Sequence, residues 1–409
     1  MGPSRREAFR FWLKLGFISF GGPAGQIAIM HREVVERRRW LADGPFMQAL
    51  NCCMLLPGPE ALQLAIWIGW RLHGVAGGIV AGLCFIGPAM AILMGLSFIY
   101  ALHGDLPPVA AALLGLQATV IALIAQALLK LGRRALSHPL HWLLAAAAFA
   151  VMIGRIAPFP LLLALAALAG LLVNRDGGGQ PAAPPRERAR FPWRVLATGF
   201  VLWVVPAAAA LAFAGRDTLF ADVYRFFTTA ALLTFGGAYA ILAWVSQQAV
   251  EVQAWLTQAQ AVAGLALAET TPGPLIIVLQ FIGFMAGWNQ AAAVDAPAVA
   301  TTTALLAAWA TFLPAFVIIL VAAPFVERLS ANRRVAGALA GITAAVVGVI
   351  GSLAIVFGRG VLFPEGFASP AWGAIAIAGA ALVLLEWTRV DVLWVIAGGA
   401  LAGLLLGVA

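Results

Sequence analysis

Charge is what this chain has least of. Only 10% of its 409 residues are Asp, Glu, Lys or Arg, against about 25% in an ordinary soluble domain. With 63% hydrophobic residues and a mean hydropathy of +0.96, a water-soluble globule is excluded. Polar and apolar positions do not alternate in stretches of about ten residues, which excludes a β-barrel. Cysteine is scarce too. Cys52, Cys53 and Cys84 lie inside apolar runs, and an odd number cannot pair fully, so they read as core filler rather than as a disulfide framework or a metal site. The five histidines (His31, His73, His103, His138 and His141) sit near segment ends without metal spacing. Residues 78–82 form a GxxxG packing face and not a phosphate loop, because no P-loop lysine follows. HExxH and paired aspartates in neighbouring segments are both missing, so an intramembrane enzyme lacks its catalytic constellation and no cofactor is expected.

What is present is a series of about thirteen hydrophobic segments: roughly 9–30, 45–70, 75–101, 107–129, 139–154, 156–173, 193–214, 222–245, 257–288, 298–323, 335–357, 370–385 and 390–408. Several reach the roughly 17–25 residues a bilayer-spanning helix needs. The fold class expected is therefore an all-α polytopic membrane protein with the lipid bilayer as its solvent. The net charge of +8 would suggest nucleic acid in a soluble protein. Here the basic residues cluster at segment ends, as the positive-inside rule requires, and no nucleic-acid partner is expected. No cleavable signal is evident, so the first segment reads as retained. Residues 174–192, with Gly177-Gly178-Gly179, Pro181, Pro184-Pro185 and several arginines, read as a basic cytoplasmic linker. It divides an N-terminal half, residues 1–173, from a C-terminal half, residues 193–409, that carries one extra leading helix.

The two halves contain the same device. Phe20-Gly21-Gly22 is followed by Pro57-Gly58-Pro59, and Phe235-Gly236-Gly237 by Pro272-Gly273-Pro274. The spacing is 37 residues in each copy, and the copies lie 215 apart. Arg10 and Arg225, Phe11 and Phe226, Glu36 and Glu251, Trp40 and Trp255 fall on the same offset. Beyond an insertion near residues 289–299 the match resumes at an offset of 226, with Pro88 against Pro314. Helix breakers at matching depths of two hydrophobic halves point to a binding site built from broken helices. Basic loops at 130–134, in the linker and at 328–334 set the cytoplasmic side. Between the copies the number of crossings is odd, which makes the repeats inverted in topology. The basic loop 31–39 is cytoplasmic only if the broken segments are re-entrant hairpins, and the sequence leaves both arrangements open.

Acids at the centre of a membrane helix cost about 2.5–3.5 kcal/mol each. Of 17 acids, only Glu60 and Glu269 appear deep, and both flank a Pro-Gly-Pro. They read either as proton carriers, the coupling groups of a transporter, or as half-helix caps in a solvated vestibule. Proline suits the first turn of a helix, and the new N-terminus presents free N–H groups that suit an anion. Gly21, Gly22, Gly236 and Gly237 permit the left-handed turn that ends a half-helix. Ser19, Thr234, Thr271 and Gln63 supply neutral donors beside Pro57, Gly58, Pro59, Pro272, Gly273 and Pro274, with Gln280, Asn51 and Thr270 as further candidates. Glycine and proline in this pattern also serve simply for close packing and kinks. Arg71 reads as an interface anchor or as a residue that attracts anions, and Lys14 as snorkelling or as lining the path.

With LGFISFGGPAGQ at 15–26, ERRRWL at 36–41, LLPGPEALQLAIWIGWRLHG at 55–74, TFGGAYA at 234–240 and TTPGPL at 270–275, the chain resembles the chromate ion transporter family over nearly its whole length. The resemblance implies a multi-pass protein of the bacterial inner membrane, made of two fused homologous domains, that exports chromate and confers chromate resistance. Sulfate or another oxyanion is the alternative cargo, because sulfate is a tetrahedral dianion of similar size. Proton coupling through Glu60 and Glu269 is compatible with that reading, and so is a homodimer. Two departures break the symmetry: Ala238 stands where the first copy has Pro23, and Leu275 where it has Glu60.

Overall fold

The computed structural model describes residues 2–173, 191–214, 218–235, 237–326, 333–388 and 390–407. Gly236, most of the linker (174–190) and most of the basic loop at 328–334 lie outside the described residues. Among those described there are sixteen α-helices: α1 (Arg5–Ile18), α2 (Gly22–His31), α3 (Asp43–Leu55), α4 (Glu60–His103), α5 (Pro107–Ala135), α6 (Pro139–Gly154), α7 (Phe159–Val173), α8 (Trp193–Ala214), α9 (Leu219–Leu232), α10 (Ala238–Gln247), α11 (Gln258–Glu269), α12 (Val278–Gln290), α13 (Ala296–Ala322), α14 (Arg333–Leu362), α15 (Trp372–Trp387) and α16 (Val392–Leu406). Four are long and apolar enough to cross a membrane, namely α4, α5, α13 and α14, and six shorter helical stretches are also apolar. The sequence expectation of an all-helical membrane protein holds.

Four of the expected hydrophobic segments are broken, and their breaks fall on the doubled motif. Segment 9–30 is α1 and α2, segment 45–70 is α3 and the start of α4, segment 222–245 is α9 and α10, and segment 257–288 is α11 and α12. The ends of each broken pair come back together. Arg38, past α2, reaches Glu7 near the start of α1 at 3.3 Å and lies over the Phe11 ring. Trp40 meets Phe11 edge-on at 5.2 Å, and in the second half Trp255 meets Phe226 edge-on at the same 5.2 Å. The matching tryptophans thus close matching hairpins. For the next pair, His31 bonds Asp43 at the start of α3, and the His73 ring bonds the Pro3 carbonyl at 2.9 Å. In the second half Asn289, at the end of α12, bonds Gln260 at the start of α11.

Helix α4 is two arms rather than one rod. His73 (φ −140°) and Gly74 (φ 68°, ψ −163°) leave the helical region, and the positive φ is one that glycine adopts without strain. The chain reverses there. Gly69 lies against Gly77, and Gly78 and Gly82 lie against Ile66, so the GxxxG face lets arm 60–72 (α4a) pack closely on arm 75–103 (α4b). Gly78 also meets Leu320, and Gly82 meets Phe316. Residue numbers rise on α4b as they fall on α13, so these repeat-related helices run antiparallel. The same holds for α5 and α14, where Gly132 lies beside Val347 and Gly358 beside Ile121.

The ends of the bundle differ in charge. Arg5, Arg6, Arg10, Arg32 and Arg37–Arg39 share the hairpin feet of the first half, whereas the corresponding end of the second half holds Arg155, paired with Glu251, and Arg225. Hairpin feet on one side predict a labelling pattern. In a chain with its buried native cysteines replaced, Glu36→Cys and Ser137→Cys should react with a membrane-impermeant thiol reagent from the same side, and Glu251→Cys from the opposite side. If both broken segments of the first half crossed fully, position 36 would instead label from the side opposite 137.

Candidate functional site

A helix that ends inside a membrane leaves four free N–H or four free C=O groups, and each unsatisfied group in hydrocarbon costs several kcal/mol. The four hairpin tips satisfy one another across the two halves. Gly58 N–H donates to the Thr234 carbonyl at 2.8 Å, and Gly273 N–H donates to the Ser19 carbonyl at 2.7 Å. Each Pro-Gly-Pro of one half is therefore pinned to the Phe-Gly-Gly turn of the other. Gly58 has φ 125° and Gly273 φ 106°, values that favour glycine. There is also no room for a side chain. A Cβ on Gly58 would stand 2.8 Å from Gln63 Nε2, and one on Gly273 would stand 2.8 Å from the Ala89 Cβ.

The polar side chains at the tips go to carbonyl groups. Ser19 Oγ donates to Leu15 C=O at 2.5 Å and Thr234 Oγ1 to Ala230 C=O at 2.7 Å, the same i−4 bond in each copy. Thr270 and Thr271 both donate to Leu267 C=O. Gln63 Nε2 donates to Pro57 C=O at 2.7 Å. Gln26 Nε2 donates to Gly273 C=O at 2.6 Å and to Ser19 C=O at 3.3 Å, and Gln280 Nε2 to Met90 C=O. By contrast, no side chain caps the N-termini after Gly21, Pro59, Gly237 or Pro274. The carbonyl ends, which carry partial negative charge, are quenched by side-chain donors, whereas the N–H ends have no capping side chain and, at α4, only the Glu60 carboxyl near its own N–H. Helix dipoles then make the crossing favourable for an anion.

Each half contributes one acid next to its Pro-Gly-Pro. Glu60 is the first residue of α4, half-buried, with its carboxyl turned to its own backbone N–H. Glu269 is the last residue of α11, half-buried, and accepts a 2.5 Å hydrogen bond from Tyr239 Oη. Ser19, Gln63, Thr234 and Thr271 are buried. Gly21, Gly22 and Gly237 take positive φ in the turns, and Pro57, Pro59, Pro272 and Pro274 frame the two glycines. Asn51 faces outward on α3 and is not part of the crossing. Two residues escaped sequence reasoning. Gln26 was visible only as the last letter of LGFISFGGPAGQ, and Tyr239 only as a letter of TFGGAYA, two residues past Gly237.

Backbone strain at the tips gives a direct test. Gly58→Ala and Gly273→Ala should each cost about 1–3 kcal/mol and lower the thermal unfolding midpoint of the purified protein. Alanine at Gly87, where a Cβ meets nothing within 4 Å, should leave the midpoint unchanged.

The family model described as chromate transporter matches residues 6–171 and 221–404, which are the two copies without α8. The chain is 33% identical over 405 residues to the chromate transport protein of Pseudomonas aeruginosa, covering 98% of this chain and 92% of that one. It is 30% identical over 360 residues to the probable chromate transport protein of Synechococcus elongatus (87% and 85% covered) and 28% identical over 400 residues to the chromate transport protein of Cupriavidus metallidurans (98% and 92% covered). No solved structure matches the chain significantly. Doubled broken helices and a family match over both copies agree: the chain belongs to the chromate transporter family.

Proposed function

We propose that this protein is a secondary transporter that exports chromate across the bacterial inner membrane. Residues 1–173 and 193–409 form two inverted-topology repeats, joined by a cytoplasmic linker at 174–192. The pairs α1–α2, α3–α4a, α9–α10 and α11–α12 are re-entrant hairpins, and the nine remaining helical stretches cross the bilayer. Antiparallel packing of α4b on α13 and of α5 on α14 supports the inversion. The arginine-rich feet of the first half support a cytoplasmic position for them.

The reading rests chiefly on the mutual hydrogen bonds between Gly58 and Thr234 and between Gly273 and Ser19. They bring the free N-termini of half-helices from both repeats to one depth. The dianion binds there, held by backbone N–H groups rather than by a buried cation. Rocking one repeat against the other exposes it to alternate sides. An inside-negative potential favours exit, by about 2.3 kcal/mol per charge per 100 mV. Glu60 and Glu269 are the groups through which protons couple to the cycle, with Tyr239 orienting the second of them.

One feature favours a second cargo. Backbone amides contact tetrahedral dianions of like size alike, so sulfate competes for the same site. The test is flux in proteoliposomes with an imposed potential. Wild-type protein should carry chromate, with sulfate as a competitive inhibitor. Glu60→Gln should lower kcat by at least about tenfold, a 1.4 kcal/mol effect, while still inserting and folding. Absence of chromate flux from folded wild-type protein would overturn the reading; sulfate flux in its place would establish the second cargo.

A further inference from the structure

The geometry points to a second oxyanion-binding site, at the foot of the first hairpin and separate from the crossing. A cavity of about 330 Å³ opens there, lined by Arg6, Glu7, Arg10, Phe11, Lys14 and Arg38, with Ser4 at its edge. Four cations face one carboxylate. Arg38 is fixed as one wall: it pairs with Glu7 at 3.3 Å and Glu33 at 3.5 Å and stacks over Phe11 and Trp40. Glu7 is engaged by that same arginine. Arg6, Arg10 and Lys14 have no ion-pair or hydrogen-bond partner among the described residues.

These three recur every fourth residue, so they share one face of α1. Lys14 stands about 12 Å deeper along the axis than Arg6. Like charges four residues apart on one helix face repel one another, so an aligned set of three cations bordering a cavity calls for an anion or water on that face. The repeat supplies a control within the same chain. At the matching positions the second half has Ala221, Asp222, Arg225, Thr229 and Gln253, and Asp222 lies 3.8 Å from Arg225. The cavity's surplus positive charge is absent there, although the backbone device is the same. The surplus is thus not a requirement of the hairpin fold.

The ligand class is a tetrahedral oxyanion recognised by arginine and lysine. It is either the free ion arriving from the aqueous side or the phosphate of an anionic lipid headgroup. Binding at this cavity does not depend on which ion crosses the membrane.

The chain has only two lysines, Lys14 and Lys130, and both are exposed, which allows a local readout. Full-length protein in neutral-lipid nanodiscs is acylated with a water-soluble succinimidyl ester, and the Lys14:Lys130 ratio is read by mass spectrometry. One arm titrates sodium sulfate against sodium chloride at constant ionic strength. The other replaces phosphatidylcholine with phosphatidylglycerol. Occupancy should slow acylation of Lys14 by a factor of 1 + [L]/Kd, roughly tenfold at ten times Kd, with Lys130 unaffected. Arg6→Gln/Arg10→Gln should abolish this protection, and Arg6→Lys/Arg10→Lys should retain part of it. Protection by sulfate assigns the site to the free ion, and protection by phosphatidylglycerol alone assigns it to the headgroup. An unchanged ratio in both arms, or equal protection in the glutamine variant, overturns the proposal. Because no flux is measured, failure here is distinct from failure of the export reading.

Discussion

Two backbone hydrogen bonds carry the architecture. Breaking a helix inside hydrocarbon leaves polar groups that water cannot reach, and four such breaks would be prohibitive if each had to be satisfied alone. Gly58 to Thr234 and Gly273 to Ser19 relieve part of that cost jointly, because each half supplies a partner to the other. Neither repeat can close its own tips in this way. The close approach that these bonds require explains why two glycines at positive φ sit against Ala315 and Ala89, themselves repeat-related. The antiparallel packing of α4b and α13, which places those alanines, serves the same junctions.

Backbone symmetry at the crossing is accompanied by side-chain asymmetry. Gln26 and Gln63 brace the tips from the first half, and their matches, Ile241 and Val278, cannot. Tyr239 and Glu269 form their pair in the second half, where the first has Ala24 and Met54. Glu60 has Leu275 as its match in the second copy. An equal pair of junctions would leave the two access states degenerate. Unequal bracing and unequal charge give them different energies, which a transporter needs if its resting state is to favour one side.

Much of this was readable from residues alone, and the reasons differ by feature. A 37-residue spacing repeated at a fixed offset is a strong signal, and it located the breaks at 19–21, 56–59, 233–237 and 270–274 almost to the residue. Whether those segments cross or return is a matter of which ends touch, and hydropathy carries nothing about that; Arg38 against Glu7 and His73 against Pro3 do. Hydroxyls at Ser19 and Thr234 read equally well as ligand donors or as i−4 back-bonds until the local turn is known, and in this structure they are back-bonds. Gln26 and Tyr239 have no periodicity or charge to draw notice, so their importance is purely spatial.

Helix α8 stands between the copies and has a consequence of its own. In the proposed topology each copy contains two returning hairpins and four crossings (α4b to α7, and α13 to α16), an even number. A unit of that kind duplicated end to end would insert both times the same way up. The single added crossing of α8 turns the second copy over, and only an overturned copy can offer its turns to the first across the midplane. Deleting α8 would remove no residue of the crossing, yet it would set the two copies in an orientation where their tips could not meet.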